Sequence, residues 1–130
     1  MIVTVTMEQV IDFRNNNGEF LGNATLPLKG AYKLNKIRKA LDKEGEFYSD
    51  KFQEIIDTYA QKDDNGELIF NDDGTQIMIQ EDKLEECEKA LTDLQNLEVQ
   101  IENYNFTIED LGENIECTPD ELAILMPFME

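Results

Sequence analysis

The sequence predicts an α+β fold with a long central helix, a second antiparallel helix and a small antiparallel β-sheet. Apolar residues recur in steps of seven across residues 28–61, and in steps of three and four across residues 84–94. Short alternating apolar segments stand next to turn-forming residues, as in small sheets. With 130 residues, 41% of them hydrophobic, the chain is expected to form a single domain over residues 1–130.

The first six residues are largely apolar and β-branched, which predicts a short strand. Thr6 and Gln9 have the spacing of a capping box, so a short helix is expected to follow. The Asn-Asn-Asn-Gly run at residues 15–18 favours turn conformations and is expected to end this helix. A brief extended segment is expected around residues 20–26.

Seven apolar residues of the segment 28–61 share one helical face at 100° per residue. They are Leu34, Ile37, Leu41, Tyr48, Phe52, Ile55 and Tyr59. Gly45 lies inside this segment and costs about 1 kcal/mol relative to Ala, so a break into two helices at Gly45 is the alternative. The seven-residue register passes through Gly45 without a change of phase, which favours one continuous helix.

Four lysines occupy a separate narrow stripe of the long helix, namely Lys29, Lys33, Lys36 and Lys43. Such a stripe is either a solvated face or a partner for acidic residues of the same molecule or of a second copy. Direct nucleic-acid binding is disfavoured, because few aromatic residues interleave with the lysines and the net charge is −18.

Turn-forming residues at 62–66 and 71–74 predict a β-hairpin near residues 67–79. The acidic turns do not fit a calcium-binding EF-hand loop. Placing Gly66 or Gly74 at the sixth loop position puts Gln61 or Ile69 at the first ligand position, where Asp is required.

A second helix of 13–16 residues is predicted after the hairpin. Asp82 and Glu85 have capping-box spacing, and an apolar stripe follows at Leu84, Cys87, Leu91 and Leu94. This helix is long enough to pack along the central helix, and an antiparallel pair is expected.

The last third of the chain predicts one strand and one helix. Residues 98–102 alternate as a strand with one buried face, which is expected to join the hairpin in the sheet. Thr118-Pro119-Asp120-Glu121 combines an N-cap, Pro at the first helical position and Glu at the third, and Pro127 is expected to stop this helix. The apolar segment 125–129 is expected to dock on the core, with a partner contact as the alternative.

No catalytic, cofactor-binding or metal-binding residues are predicted, and the chain is expected not to be an enzyme. It contains no His, and no nucleotide-binding or nucleophile motif occurs. Cys87 and Cys117 lack zinc-site spacing; two reduced thiols are favoured over a disulfide between them. No apolar run approaches the roughly 18 residues of a membrane span, so no membrane association and a cytoplasmic location are expected.

The negative charge is concentrated in the second half of the sequence. Residues 1–62 carry nine acids and nine bases, whereas residues 63–130 carry twenty acids against two lysines. A field of this sign attracts basic protein surfaces, although acidic residues also simply increase solubility. Eight acids are the candidate partner-binding residues: Asp63, Asp64, Asp72, Asp73, Glu85, Glu86, Glu88 and Asp93.

Three stretches resemble a small family of proteins encoded by phages and prophages of Gram-positive bacteria. They are residues 28–34 (LKGAYKL), residues 59–66, and residues 118–122 together with Pro127-Phe128. The resemblance covers most of the chain from residue 26 onward. It implies a phage setting and transfers no site residue, because the family has no defined catalytic residues.

Charge and resemblance together favour two functional expectations over a third, an enzyme or metal-dependent protein that uses clustered acids. The first is a phage-encoded acidic protein-binding module that inhibits a basic nucleic-acid-binding or defence protein in the host cytoplasm, its carboxylates standing where phosphates would sit. The alternative is an accessory protein of phage tail assembly that uses the apolar segment 125–129 and has no inhibitory activity. A homodimer formed between the neutral and anionic halves of two copies is a further hypothesis.

Overall fold

The computed structural model describes residues 1–21 and 25–130, without the side chains of residues 17–20. The described chain forms β1 (Ile2–Thr6), α1 (Met7–Phe20), α2 (Leu28–Tyr59), α3 (Leu84–Gln95), β2 (Glu98–Glu102) and α4 (Pro119–Leu125). The predicted α+β class is confirmed, with a long central helix and a small antiparallel sheet. Part of the extended segment predicted at residues 20–26 lies outside the described residues, and Phe20 belongs to α1.

The chain divides into two compact units that share α2. The first contains Met1–Phe47 and Asn96–Glu130, and the second contains Tyr48–Gln95. Helix α2 passes from the first unit into the second after Phe47. That all 130 residues behave as a single domain remains a prediction.

The sheet pairs the two predicted strands that lie farthest apart in the sequence. Strands β1 and β2 are antiparallel, with Ile2 opposite Glu102 and Thr6 opposite Glu98. Val5, Val99 and Ile101 are buried in the first unit, so the alternation predicted for β2 is confirmed. The prediction that β2 pairs with the hairpin is wrong: within the described residues the sheet consists of β1 and β2.

Helix α1 begins as predicted and ends later than predicted. The backbone N–H of Thr6 donates to the Gln9 side chain at 2.9 Å, and the Gln9 N–H donates to Thr6 Oγ1 at 3.2 Å, which confirms the capping box. The helix continues through the Asn-rich run to Phe20. The Asn16 side chain donates to the Asp12 carbonyl at 2.8 Å, one turn back, an arrangement compatible with a helical backbone.

Helix α2 is continuous through Gly45, so the favoured prediction of one continuous helix is confirmed and the alternative break at Gly45 does not occur. In its second half the buried apolar side chain is Ile56, whereas Tyr48, Ile55 and Tyr59 of the predicted stripe are half-buried and Phe52 is exposed. A straight α-helix drifts by about 20° per heptad from a seven-residue repeat. After three heptads this drift brings Ile56 closer than Ile55 to the direction in which Leu34 points.

The core of the first unit forms where α1 and the C-terminal segment pack on β1, and Leu34, Ile37 and Leu41 of α2 are also buried. Phe13 and Phe128 are buried, with ring centroids 4.8 Å apart. The Glu130 N–H donates to the Phe106 carbonyl at 2.8 Å. The prediction that the segment 125–129 docks on the core is therefore confirmed, and the capping box of α4 forms between Thr118 and Glu121 as predicted.

The second unit begins with the last turns of α2 and continues into two tight turns. Gly66 and Gly74 have φ values of 78° and 69°, which these turns require. The predicted hairpin closes around the second turn with one isolated bridge, between Phe70 and Ile77. Regular strand pairing does not continue beyond this bridge. The Ile69 N–H donates to the Gln61 carbonyl and the Gln61 N–H donates to the Met78 carbonyl, so these groups are not available for pairing within the hairpin.

Helix α3 is preceded by a 3₁₀ turn at Glu81–Lys83, so helical structure starts before the predicted cap. Asp82 lies inside this turn, and the capping box predicted for Asp82 and Glu85 is therefore wrong. Cys87 and Leu94 are buried as the apolar stripe predicts, whereas Leu91 is half-buried and Leu84 is exposed. The hairpin returns the chain to the end of α2, where the Gln80 N–H donates to the Tyr59 carbonyl. The antiparallel direction of α2 and α3 remains a prediction.

The two cysteines are free thiols in different surroundings: Cys87 is buried and Cys117 is exposed. Burial raises the pKa of the Cys87 thiol, and the Glu88 carboxylate raises it further. Because the thiolate is the reactive form, Cys117 is expected to react with an aromatic disulfide reagent at least about tenfold faster than Cys87. Equal rates in native buffer would contradict the buried position of Cys87, and denaturant should make the two rates converge.

Candidate protein-binding surface

The second unit carries a high density of negative charge. Its 48 residues include fourteen acids against four lysines, a net formal charge of −10. The first unit carries fifteen acids against seven bases over its 82 residues, a net of −8. All fourteen acids of the second unit are exposed.

The four predicted turn acids lie at two separate places. Asp63 orders the first turn, because its Oδ1 accepts the N–H groups of Asn65 and Glu67, each at 2.9 Å. In the second turn Asn71 has this role, accepting the Thr75 N–H at 2.9 Å. Asp64, Asp72 and Asp73 are exposed on these two ordered turns. In the described chain the hydrogen bonds that order the turns come from Asp63 and Asn71 and not from these three side chains.

The four predicted acids of α3 face away from its buried side. At 100° per residue, Glu85, Glu86, Glu88 and Asp93 span about 160° of the helix surface. The centre of this arc lies opposite Cys87 and Leu94. The helix thus presents an acidic outer face and an apolar inner one.

The predicted acids do not converge on one point. The isolated bridges from Lys62 to Leu68 and from Phe70 to Ile77 place the two acidic turns at opposite ends of the segment 68–70. No group of three acid, Cys or His side chains that could hold a metal ion occurs among the residues described. The arrangement is a dispersed charged surface, which suits binding by long-range attraction.

Few of these carboxylates have a cationic neighbour. Among the described residues of this unit, Glu54 lies 3.1 Å from the Lys51 ammonium and Glu86 lies 3.7 Å from that of Lys83. Both are exposed helical pairs three residues apart, which contribute little to stability. The other carboxylates of this unit are exposed as well, and among them Asp63 accepts two backbone hydrogen bonds.

The lysine stripe of α2 has several environments. Lys33 Nζ is nearly buried, 2.9 Å from Asp110 Oδ2 and 3.1 Å from the Asn105 carbonyl oxygen. Pairing with an acid of the same molecule is therefore confirmed for Lys33. Lys36 Nζ lies 5.5 Å from the centre of the Tyr32 ring. Lys29 and Lys43 are exposed.

Asp110 is held as a carboxylate at this contact. Burial by itself would raise its pKa, but hydrogen bonds from Lys33 and from the Thr107 N–H and hydroxyl, with the charge of Lys33, lower it overall. The pair joins the first turns of α2 to the 3₁₀ turn at Ile108–Leu111. Its role is structural, and it removes Lys33 from the basic stripe.

The eight acids predicted from the sequence leave out six of the fourteen acids of this unit: Asp50, Glu54, Asp57, Glu67, Glu81 and Asp82. Asp50, Glu54 and Asp57 are exposed on the last turns of α2 and belong to the second unit. In the sequence these three acids belong to residues 1–62, where acids and bases balance. The boundary between the two units lies at Tyr48, inside a continuous helix, where no composition change marks it.

No helix within the described ranges is both long enough and apolar enough to cross a bilayer. The chain matches no protein-family model, no curated protein and no solved structure. The surface is therefore interpreted from its own geometry and charge.

Proposed function

We propose that this chain is a phage-encoded acidic protein-binding module. Its second unit binds a basic surface of a host nucleic-acid-binding or defence protein and inhibits that protein in the host cytoplasm. The observation that carries the proposal is the set of fourteen exposed carboxylates on 48 residues, most of them without a cationic neighbour among the described residues.

The geometry suits a partner that normally binds phosphates. Lys and Arg side chains that contact a nucleic-acid backbone recognise oxyanions through charge-assisted hydrogen bonds, and carboxylates offer the same acceptors. Ordered turns and a helix hold the acids of the second unit, so less conformational entropy is lost on binding than with a disordered acidic tail.

A role in tail assembly receives less support from the fold. That hypothesis relied on the apolar segment 125–129, yet Leu125 and Phe128 are buried in the first unit. Met126 is the large apolar side chain of this segment that is exposed. A single exposed side chain offers little area for a salt-resistant interface.

An affinity-capture experiment tests the proposal. The eight candidate acids are changed to the matching amides, which lowers the negative charge and keeps the side-chain shapes. Asn at position 63 retains the oxygen that orders its turn. Tagged wild-type and variant proteins are incubated with lysate of a Gram-positive bacterium, washed at about 50 mM and then about 500 mM salt, and bound proteins are identified by mass spectrometry.

The matched control removes eight exposed acids from the first unit in the same way. These are Glu8, Asp12, Glu46, Glu98, Glu109, Glu113, Glu116 and Glu130. We expect nucleic-acid-binding proteins to be retained at low salt by the wild type and the control and lost by the eight-acid variant. If both variants lose binding to the same extent, the binding depends on net charge alone. Virion components retained at high salt would favour the assembly role.

A further inference from the structure

A cavity in the first unit collects both arginines of the chain. It measures about 250 Å³ and lies between α1 and α2. Its lining residues are Phe13, Arg14, Asn15, Arg38, Leu41 and Asp42. The chain contains two arginines in total, separated by 24 positions. Both arginines therefore line the same cavity in a protein whose net charge is −18.

Arg14 is positioned by two features of α2. Gly45 is buried, and a Cβ at this position would collide with the guanidinium Nη1 of Arg14, so the guanidinium lies close to the helix backbone at Gly45. Arg14 Nε also lies 3.7 Å from Asp42 Oδ1. The Arg14 guanidinium therefore lies beside Gly45 and close to Asp42, at the cavity.

The donor set matches a small oxoanion. Guanidinium groups bind phosphate through paired N–H donors in a planar fork, and the Asn15 amide offers two more donors at the same cavity. Asp42 balances one of the two positive charges, so the lined cavity keeps a net formal charge of +1.

We propose that this cavity binds inorganic phosphate or a small phosphate monoester. The site is independent of the acidic surface of the second unit. The overall negative charge disfavours a polyanion such as nucleic acid. A small anion inside the cavity is governed by its nearest charges, because salt screens exposed charges beyond about 8–10 Å.

The first test titrates the purified protein with inorganic phosphate at constant ionic strength, with chloride as the balancing anion. We expect saturable binding, seen as a rise in melting temperature and as shifts of the arginine Nε–H signals in NMR spectra. Phosphoserine is titrated beside it, with serine as the control. Tighter binding of phosphoserine than of phosphate would identify a monoester, and the reverse would identify the free ion.

Variants separate this site from general charge effects. Arg38→Ala should weaken phosphate binding at least about tenfold, whereas Lys39→Ala, the adjacent exposed cation on α2, should change it by less than about twofold. Asp42→Asn should tighten binding several-fold because it removes the competing carboxylate, with Glu113→Gln as the control for charge. Equal effects of Arg38→Ala and Lys39→Ala, or no saturation by either anion, would overturn the proposal.

Discussion

Gly30→Ala is expected to destabilise the protein by about 2 kcal/mol or more, although Ala is the better helix former. Gly30 lies in the first turn of α2, and a Cβ there would collide with the backbone carbonyl oxygen of Asp110 and come within 2.8 Å of its carbonyl carbon. The obstacle is backbone, held in place by the capping box of Thr107 and Asp110. Relief therefore requires the two segments to separate.

Gly45→Ala is the matched comparison on the same helix. Its added Cβ meets the end of the flexible Arg14 side chain, which can move at little cost. We expect unchanged stability or a gain of up to about 1 kcal/mol from helix propensity, together with weaker phosphate binding at the arginine cavity. Urea denaturation of the two variants measures the difference, and equal destabilisation would contradict the assigned contacts.

Substitution of either partner of the Lys33–Asp110 pair is expected to lower the free energy of unfolding, and this is the second large effect. The two side chains are 13% and 10% exposed, and removing one partner of a nearly buried pair leaves the other uncompensated. Asp110→Ala should cost about 2–4 kcal/mol, because it also removes the acceptor for the Thr107 N–H. Lys33→Met should cost less, since Asp110 keeps its bonds from Thr107.

Lys29→Met is the control for this pair, because Lys29 lies on the same stripe and is exposed. Its effect should stay within about 0.5 kcal/mol. The pKa of Asp110 is lowered in the folded state, so its stabilising contribution is present above the unfolded pKa of about 4 and is lost as pH falls through the folded value. Asp110→Asn should therefore lose less stability than the wild type on acidification from pH 5 to pH 3. A parallel loss would contradict the ionised pair.

Local signals predicted individual elements well. The capping boxes at Thr6 and Thr118, the alternation of β2 and the continuity of α2 depend on residues close in sequence. Errors arose where the local preference was weak. The Asn-rich end of α1 was predicted as a turn, but each unfavourable residue costs less than about 1 kcal/mol in a helix, and the helix continues to Phe20.

Long-range pairing could not be predicted from local patterns. The alternation of residues 98–102 defines a strand and one buried face, but it carries no information about the partner strand. That partner is β1, nearly a hundred residues earlier. The arginine cavity could not be predicted for the same reason. The apolar patterns of α1 and α2 do not indicate that Arg14 and Arg38 line the same cavity. All eight candidate acids are exposed, and their role in binding stays a prediction.

The central claim is that the acidic surface of the second unit occupies a site where a partner binds nucleic acid. The most direct measurement is competition between this chain and a fluorescent DNA duplex for a captured, purified partner, followed by fluorescence anisotropy. We expect the wild type and the first-unit control to displace the DNA at about 50 mM salt, and the eight-acid variant to need at least about tenfold more protein. Simultaneous binding of DNA and the wild-type chain, with no displacement, would contradict the claim.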